Sequence, residues 1–259
     1  MPELPDLAVF AENLTKKLAN KKLVKLKVVI NKYLNTSEGK LKKALEDQKL
    51  IEVFREGKEL RFLFQNGNVL GLHLMLHGNI EFFEKKNDQK HTVAELWFED
   101  KTGIAITDWQ KNARLSLNPE KKEAPDALSK KITFQFLKEK LSKSKALIKA
   151  FLTDQEIIRG IGNAYADEIL HEAKISPFSI SKEIPEDKMK LLVKTIRKVL
   201  VDAQKQIKKS HPGIISGEVR DFLKIHNAGK QKSPSGYPIQ HKTIGSRKTY
   251  FTDEQVVYN

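Results

Sequence analysis

Hydrophobic residues recur at two different spacings along the chain, and the change of spacing divides it into regions. Over residues 5–19, apolar side chains three or four positions apart predict a helix with one buried face. From residue 23 onward, apolar and polar residues alternate, which is typical of strands with one buried face. The Asn66-Gly67 pair between two such runs is a strong signal for a hairpin turn. The first half therefore predicts an antiparallel sandwich or barrel preceded by a helix.

The second half returns to helical spacing after a polar stretch. Residues 118–131 are polar and contain two prolines, which indicates a linker. The C-terminal segment is rich in Lys, Ser, Gly and Thr and predicts a small hairpin around 239–244 and 249–251. The predicted strands are 24–30, 60–64, 70–76, 80–82, 92–99 and 103–108. The predicted later helices are 133–142, 144–152, 163–174, 185–209 and 216–225.

The pattern as a whole predicts an α+β chain, and its length, more than one small core and less than three, predicts two domains. The predicted bounds are 1–120 for an N-terminal β-sandwich domain, 121–131 for a linker, 132–225 for a helical domain and 226–259 for the C-terminal segment.

Composition narrows the class of partner. The chain carries 47 Lys and Arg against 33 Asp and Glu, a formal net charge of +14. Phosphate contacts dominate nucleic-acid affinity, so nucleic acid is the favoured partner, although a lysine-rich solvated surface gives the same count. No apolar run approaches the ~18 residues that span a bilayer and the start lacks a secretory signal, which predicts a cytoplasmic protein without a membrane partner. The absence of cysteine excludes disulfides, thiol nucleophiles and cysteine-bound zinc.

The first three residues, Met1-Pro2-Glu3, carry candidate covalent chemistry. Initiator methionine is normally removed before a small residue, which would expose Pro2 as a secondary amine. Such an amine can attack an aldehyde-like carbon and form a cationic iminium that draws electrons from its neighbours. An α-amino group titrates near ~8 against ~10.4 for lysine, so more of it is nucleophilic at neutral pH, and Glu3 is tethered beside it to move protons. Taken alone, the same residues are typical of an ordinary lead-in to a helix.

A second candidate is the segment 151–177. Gly160 and Gly162 flank one residue in a tight turn, and Asn163 is expected to cap the helix that follows. The N-terminus of a helix presents free N–H groups and a positive dipole end, so this turn could bind phosphate. A purely structural helix hairpin would use the same glycines for close packing.

Several segments together resemble the formamidopyrimidine-DNA glycosylase and endonuclease VIII family, in order and spacing, over essentially the whole chain. They are MPELPD at the start, REGK at 55–58, HLMLHG at 73–78, DQEIIRGIGNAYADEIL at 154–170, VRDFL at 219–223 and RKTYF at 247–251. The resemblance implies an N-terminal β-sandwich behind the first helix, then a helix–two-turns–helix domain with a terminal finger. It also implies a base-excision-repair glycosylase with AP lyase activity, acting as a monomer on damaged DNA and associated with the nucleoid when bound.

The resemblance also assigns roles to single residues. Pro2 resembles the Schiff-base nucleophile that attacks C1′ of the damaged nucleotide, and Glu3 resembles the acid that protonates the sugar ring oxygen. Lys58 resembles a lysine near the lesion phosphate or base, although alone it is one solvated lysine among many. Asn163 and Arg247 resemble residues that grip backbone phosphates, a task that suits the planar fork of arginine.

The C-terminal finger departs from the family. Its usual zinc-binding cysteines are replaced by Lys232, Ser235, Thr252 and Gln255, none of which forms a thiolate site. We therefore predict a zincless β-hairpin finger held by its own packing, with no metal and no cofactor. His73 and His77 would lie roughly 13 Å apart on a strand at ~3.3 Å per residue, too far to bind one ion together.

The residues that fill the gap left by a flipped base also depart from the family. Leu76 replaces a methionine, Gln110 an arginine and Asn112 a phenylalanine. Leucine can still wedge between bases, but a stacking plane and a donor fork are lost. The long loop that covers damaged purines in oxoguanine enzymes is missing after VRDFL, which favours an open pocket. We expect His91 to meet a DNA phosphate.

Three functions fit these observations to different degrees. A bifunctional glycosylase accounts for the proline start, the charge and the turn at 160–163. A catalytically weakened binder of lesions or AP sites on the same fold accounts for the altered wedge but not for an intact Pro2-Glu3 pair. A helix-hairpin RNA-binding or ribosome-binding protein accounts for the charge and the turn but not for the start.

Overall fold

The structure is a computed structural model that describes residues 1–259, and its backbone separates into two units. The first unit comprises residues 1–121 together with 207–218, and the second comprises residues 122–206 together with 219–259. Residues 207–218 belong to the first unit although residues 122–206 separate them from residues 1–121 in the sequence. The hydrophobic pattern does not indicate this grouping.

The first helix, α1 (Leu4–Leu18), begins where the sequence predicts. Pro5 occupies the first turn, where its missing N–H is not needed. Glu3 and Asp6 form a reciprocal capping box, in which the backbone N–H of Glu3 donates to Asp6 Oδ2 over 2.9 Å. Thr15 ties the other end of the helix to a neighbouring strand, since its Oγ1 accepts from Val53 N at 2.8 Å.

The N-terminal unit contains two four-stranded antiparallel sheets. The strands are β1 (Leu23–Val28), β2 (Leu50–Glu56), β3 (Glu59–Phe64), β4 (Val69–His73), β5 (Asn79–Glu84), β6 (Thr92–Phe98), β7 (Thr102–Thr107) and β8 (Arg114–Leu117). Their orders in the two sheets are β1-β6-β7-β5 and β2-β3-β4-β8. The inward-facing side chains of both sheets and of α1 form one hydrophobic core, so the predicted β-sandwich with a leading helix is confirmed.

Several elements of this unit differ from the predicted pattern. Strand β4 ends at His73 rather than at residue 76, because residues 74–77 form a turn. His77 is therefore not on a strand, and the strand distance expected between His73 and His77 does not apply. Helix α2 (Glu38–Leu45) and strands β2 and β8 were not predicted; α2 buries only two leucines, and β8 has four residues, too few to show a period.

The second unit is mainly helical. Its helices are α3 (Phe134–Leu141), α4 (Ile148–Thr153), α5 (Asn163–Ala173) and α6 (Glu186–Ser210), the last of which continues into the first unit, with a 3₁₀ turn at Ser181–Glu183. The predicted helix at 216–225 is wrong. The backbone N–H groups of Lys224, Ile225 and His226 donate to the Glu168 carboxylate at 2.8 Å each instead of to helical carbonyls.

The chain ends in the predicted hairpin. Strands β9 (Gln240–Ile244) and β10 (Arg247–Phe251) pair antiparallel, with Arg247 opposite Ile244 and Phe251 opposite Gln240. Gly245 takes a positive φ of 59° in the tight connection. Because the chain has no cysteine, this finger is held without a cysteine-bound zinc ion. None of the helices is both long enough and apolar enough to cross a bilayer.

The turn after β4 depends on Gly78. Its backbone N–H donates to Leu74 O over 2.9 Å, and a Cβ at this position would collide with the Leu74 backbone. Replacement Gly78→Ala should lower the free energy of unfolding by about 2 kcal/mol, measured by urea denaturation. Gly39→Ala is the control, since a Cβ at this position in α2 meets nothing within 4 Å and should be neutral or slightly stabilising. Equal stability of both variants would contradict this prediction.

Candidate nucleic-acid interface

Pro2 and Glu3 lie at the entrance to α1. Both residues are buried, and Glu3 retains only 4% of its accessible surface. The capping box with Asp6 fixes the carboxyl group of Glu3 at the positive end of the helix dipole. The Met1 amino group contacts the carboxylate of Glu218 within the same unit. The amine and the acid expected from the sequence are therefore adjacent and conformationally restrained.

Lys58 lies in the two-residue turn between β2 and β3, after Gly57, whose φ is 60°. The positive charge of Lys58 interacts electrostatically with His73 at the end of β4. Burial, followed by the charges of Lys58 and Arg114, lowers the pKa of His73 to about 4. The neutral His73 ring accepts a hydrogen bond at Nδ1 from Met75 N over 3.0 Å. The REGK turn and the HLMLHG segment therefore meet in one electropositive region.

Two exposed apolar side chains stand on neighbouring turns of this unit. Leu76 and Trp109 are each 59% exposed, although both are large and hydrophobic. The ring of His77 packs against the Trp109 ring with 4.9 Å between centroids. We call Leu76, His77 and Trp109 the aromatic patch. Such exposed apolar groups on ordered turns are typical of interaction sites.

A single carboxylate orders the turn that carries Trp109. Asp108 is 1% exposed and accepts from the backbone N–H groups of Gln110, Asn112 and Ala113 at 2.9, 2.8 and 2.8 Å. Its own N–H donates to His91 O over 2.9 Å. Leu76, His91 and Gln110 are thus brought into one region, whereas Pro2, Glu3 and Lys58 lie on other elements of the unit.

In the second unit, the structure brings Asn163 and Arg247 together. Asn163 Nδ2 donates to Lys248 O over 3.0 Å, and Arg247 Nη1 contacts Thr153 Oγ1. Asn163 is the first residue of α5 rather than its cap, which is Gly162, and its buried Oδ1 has no hydrogen-bond partner. A pocket of about 330 Å³ is lined by Lys149, Thr153 and Arg247 among others. This surface combines donors and positive charge, as phosphate binding requires.

Sequence reasoning missed the buried ion pair beneath this surface. Lys149 and Asp167 are 1% exposed each, and Lys149 Nζ lies 2.7 Å from Asp167 Oδ1. Glu168 is also buried and accepts the backbone hydrogen bonds from Lys224, Ile225 and His226. The polar residues Asp167, His171 and Lys174 recur at helical spacing, which places them on one side of α5 and its C-cap, but spacing alone does not say that they are buried.

Two protein-family models match this chain. The model of the formamidopyrimidine-DNA glycosylase N-terminal domain matches residues 1–115, and that of the H2TH domain of the same enzymes matches residues 124–212. The formamidopyrimidine-DNA glycosylases of Mycoplasma genitalium and Mycoplasma pneumoniae are 31% and 32% identical to this chain, covering 97% and 98% of it and 94% and 98% of themselves.

Solved structures agree with the sequence comparison. The Lactococcus lactis Fpg bound to DNA with an abasic site superposes with a TM-score of 0.88 at 25% identity. The same enzyme with a FAPY-dG containing DNA gives 0.88 at 26% identity, and each covers 98% of this chain and 99% of its own. The class is therefore that of the DNA glycosylases of base repair, and the chain belongs to the formamidopyrimidine-DNA glycosylase family. The predicted family and fold class are confirmed.

The depressed pKa of His73 makes the stability of the folded protein depend on pH in the acidic range. In the unfolded chain this histidine takes up a proton near ~6.5, whereas in the folded protein it stays neutral down to about 4. The unfolded state therefore binds more protons between these values, and stability falls as the pH falls through that window. From pH 7 to pH 5, the free energy of unfolding should drop by about 2 kcal/mol more in the native protein than in His73→Asn.

The variant His73→Asn keeps a side-chain acceptor for Met75 N and removes the titrating group. Denaturant titrations of both proteins at the two pH values give the comparison. Parallel losses of stability would show that His73 titrates normally in the folded state.

Proposed function

We propose that the protein is a base-excision-repair glycosylase that binds damaged DNA, removes the damaged base and then cuts the strand as an AP lyase. The observation that carries this proposal is the Pro2-Glu3 pair, restrained by the capping box with Asp6 at the start of α1. Family membership supports it, and so do structural relatives that are complexes with abasic-site and FAPY-dG containing DNA.

The proposed chemistry begins with loss of Met1, which frees the secondary amine of Pro2. The proline nitrogen bonds to C1′ as the bond from C1′ to the base breaks, and the base leaves with the proton released from nitrogen. Glu3 protonates the ring oxygen, which opens the sugar and leaves an iminium cation. The Glu3 carboxylate then takes a proton from C2′, and the electron pair of that bond expels the 3′ phosphate. Glu3 is thereby protonated again.

DNA binding is assigned to two groups of residues. In the N-terminal domain, Leu76 and Trp109 of the aromatic patch supply apolar surface that can replace a flipped base in the stack, with Gln110 facing the opposite strand and His91 near a phosphate. In the C-terminal domain, Asn163 and Arg247 hold backbone phosphate. Lys58 acts near the lesion. We also propose a β-sandwich domain at 1–120, a linker at 121–131, a helical domain at 132–225 and a finger at 226–259.

We further infer a preference for lesions that are already loosely paired. The segment after Val219 is short and is tied to Glu168 through three backbone hydrogen bonds, so it offers no long cover for a purine. Gln110 lacks the charged fork that reads an opposite base. The alternative function, a catalytically weakened binder, shares the fold and the DNA surface, and it differs in forming no covalent intermediate.

Borohydride trapping tests the covalent step. Reduction should fix this protein to AP-site DNA, because it converts the iminium into a stable amine. Pro2→Gly should reduce the trapped fraction by about tenfold or more, since the secondary amine is lost. Lys205→Met, which removes an exposed lysine of α6 that pairs only with Asp202 among the carboxylates, is the control and should leave trapping near the native level.

Undiminished trapping by protein with a blocked N-terminus would refute the terminal-amine mechanism and indicate a lysine nucleophile. No trapping by native protein that binds AP-site DNA tightly would favour the weakened binder. Mass spectrometry of the purified chain, which reports whether Met1 is removed, accompanies both measurements.

The aromatic patch should matter most where the duplex must be held open. Trp109→Ala should slow base removal from a well-stacked duplex by about tenfold, because a stacking contact contributes about 1–3 kcal/mol. It should change cleavage of a single-stranded AP site little, since no partner strand needs support. Ile51→Ala, which removes an exposed apolar side chain on β2, is the control.

Native protein should act better on AP sites and oxidised pyrimidines than on 8-oxoguanine, with weak discrimination between cytosine and adenine as the base opposite the lesion. Efficient, cytosine-selective removal of 8-oxoguanine would contradict this inference.

A further inference from the structure

Two turns flank the finger hairpin, one before β9 and one after β10. The first turn, residues 231–239, is closed by Ser233 N donating to Tyr237 O and Ile239 N donating to Gln231 O, each over 2.8 Å. The second turn, residues 252–255, is closed by Thr252 N donating to Gln255 Oε1 over 2.9 Å. The four positions that correspond to zinc-binding cysteines fall within these two turns.

One carboxylate lies where the two turns and α5 meet. The side chain of Glu254 is 8% exposed. Its Oε2 accepts from Ser233 Oγ of the first turn over 2.8 Å and from Thr252 Oγ1 of its own turn over 3.1 Å. The same oxygen lies 3.1 Å from His171 Nε2, and Oε1 accepts from Lys174 Nζ over 2.6 Å.

The electrostatics of this cluster favour an ionised carboxylate. Burial alone would raise the pKa of Glu254, but hydrogen bonds from Lys174, Ser233, His171 and Ser235 hold it well below its usual range. The charged and titratable groups that face it are His171 on α5 and Lys174, the residue that caps the end of this helix. A buried carboxylate with these donors is stable as an anion, and charge-assisted hydrogen bonds are stronger than neutral ones.

We propose that Glu254 is a positioning residue that joins the two turns to each other and to α5, the task that a metal ion performs in zinc-bound fingers. Its effect on the reaction is exerted through Arg247, which the intervening strand β10 carries; this part rests on the proposed function. Gln255 adds a second tie, since its Nε2 donates to Ile175 O over 2.9 Å.

The geometry predicts the behaviour of an isosteric change. Glu254→Gln keeps the shape of the side chain but replaces one oxygen by an N–H₂ donor. If the amide N–H₂ faces Lys174 Nζ, two donors meet, and if it faces the hydroxyl groups, they must reverse from donors to acceptors. In either orientation the ion pair is lost. Glu254→Asp retains the charge on a shorter stem and should restore part of the effect. Asp253→Asn is the matched control, since it removes one negative charge from the adjacent residue, which bonds Gln240 at 2.7 Å.

The first measurement is amide hydrogen exchange of the DNA-free protein. In Glu254→Gln, the amides of residues 231–255 should exchange at least about tenfold faster than in the native protein, while those of the N-terminal sandwich keep their native rates. Glu254→Asp should lie between the two, and Asp253→Asn should match the native protein. Because no DNA is present, this result does not depend on the proposed glycosylase activity.

The second measurement is catalytic. With AP-site DNA as substrate, Glu254→Gln should raise KM by about tenfold and leave kcat within about twofold, since the finger holds DNA and does not react. Native exchange rates in residues 231–255 of Glu254→Gln would overturn the proposal. Faster exchange together with unchanged KM would overturn the positioning role.

A milder variant covers the case in which Glu254→Gln does not fold. Lys174→Met removes a partially exposed partner of the same carboxylate and leaves the buried contacts in place. It should accelerate exchange in residues 231–255 by about threefold. Native rates in this variant would likewise count against the proposal.

Discussion

Two adjacent carboxylates on α5 hold together the part of the protein that carries Arg247. Asp167 pairs with Lys149 of α4 at 2.7 Å, accepts from His226 Nδ1 at 2.7 Å and receives the backbone N–H of Tyr250 from β10 at 3.0 Å. Glu168 satisfies three consecutive backbone N–H groups of the segment that precedes the finger. Buried charges are costly unless they are paired, so these contacts restrict the finger and the 224–226 segment to one arrangement relative to α5.

The same helix continues the pattern one and two turns further on, where His171 and Lys174 meet Glu254. Short turns bury too little apolar surface to be stable alone. Either an ion-paired, hydrogen-bonded carboxylate or a tetrahedral zinc site can stabilise them by joining one turn to another. The carboxylate solution needs partners from elsewhere in the fold, whereas a zinc site is complete within its four ligands. His171, on the buried face of α5, is one such partner.

The N-terminal unit uses one carboxylate in a more local way. Asp108 orders the backbone of the turn that carries Trp109, while the tight turn at Gly78 presents Leu76. The two turns meet through the rings of His77 and Trp109. A rigid mounting of exposed apolar groups lowers the entropy lost when they bind, which suits the insertion into a base stack that we propose for them.

The sequence by itself determined the features whose physics is local. Helical and alternating spacings predicted α1, most strands of the sandwich and the terminal hairpin, whereas the roles that the family motifs suggest for Pro2, Glu3, Asn163 and Arg247 stay predictions. Tertiary structure alone decided β8, the loss of the helix at 216–225 and the partners of Asp167 and Glu254. These features depend on hydrogen bonds and ion pairs between residues far apart in the chain, and a carboxylate on a helix gives no periodic signal that says whether it faces water or a buried lysine.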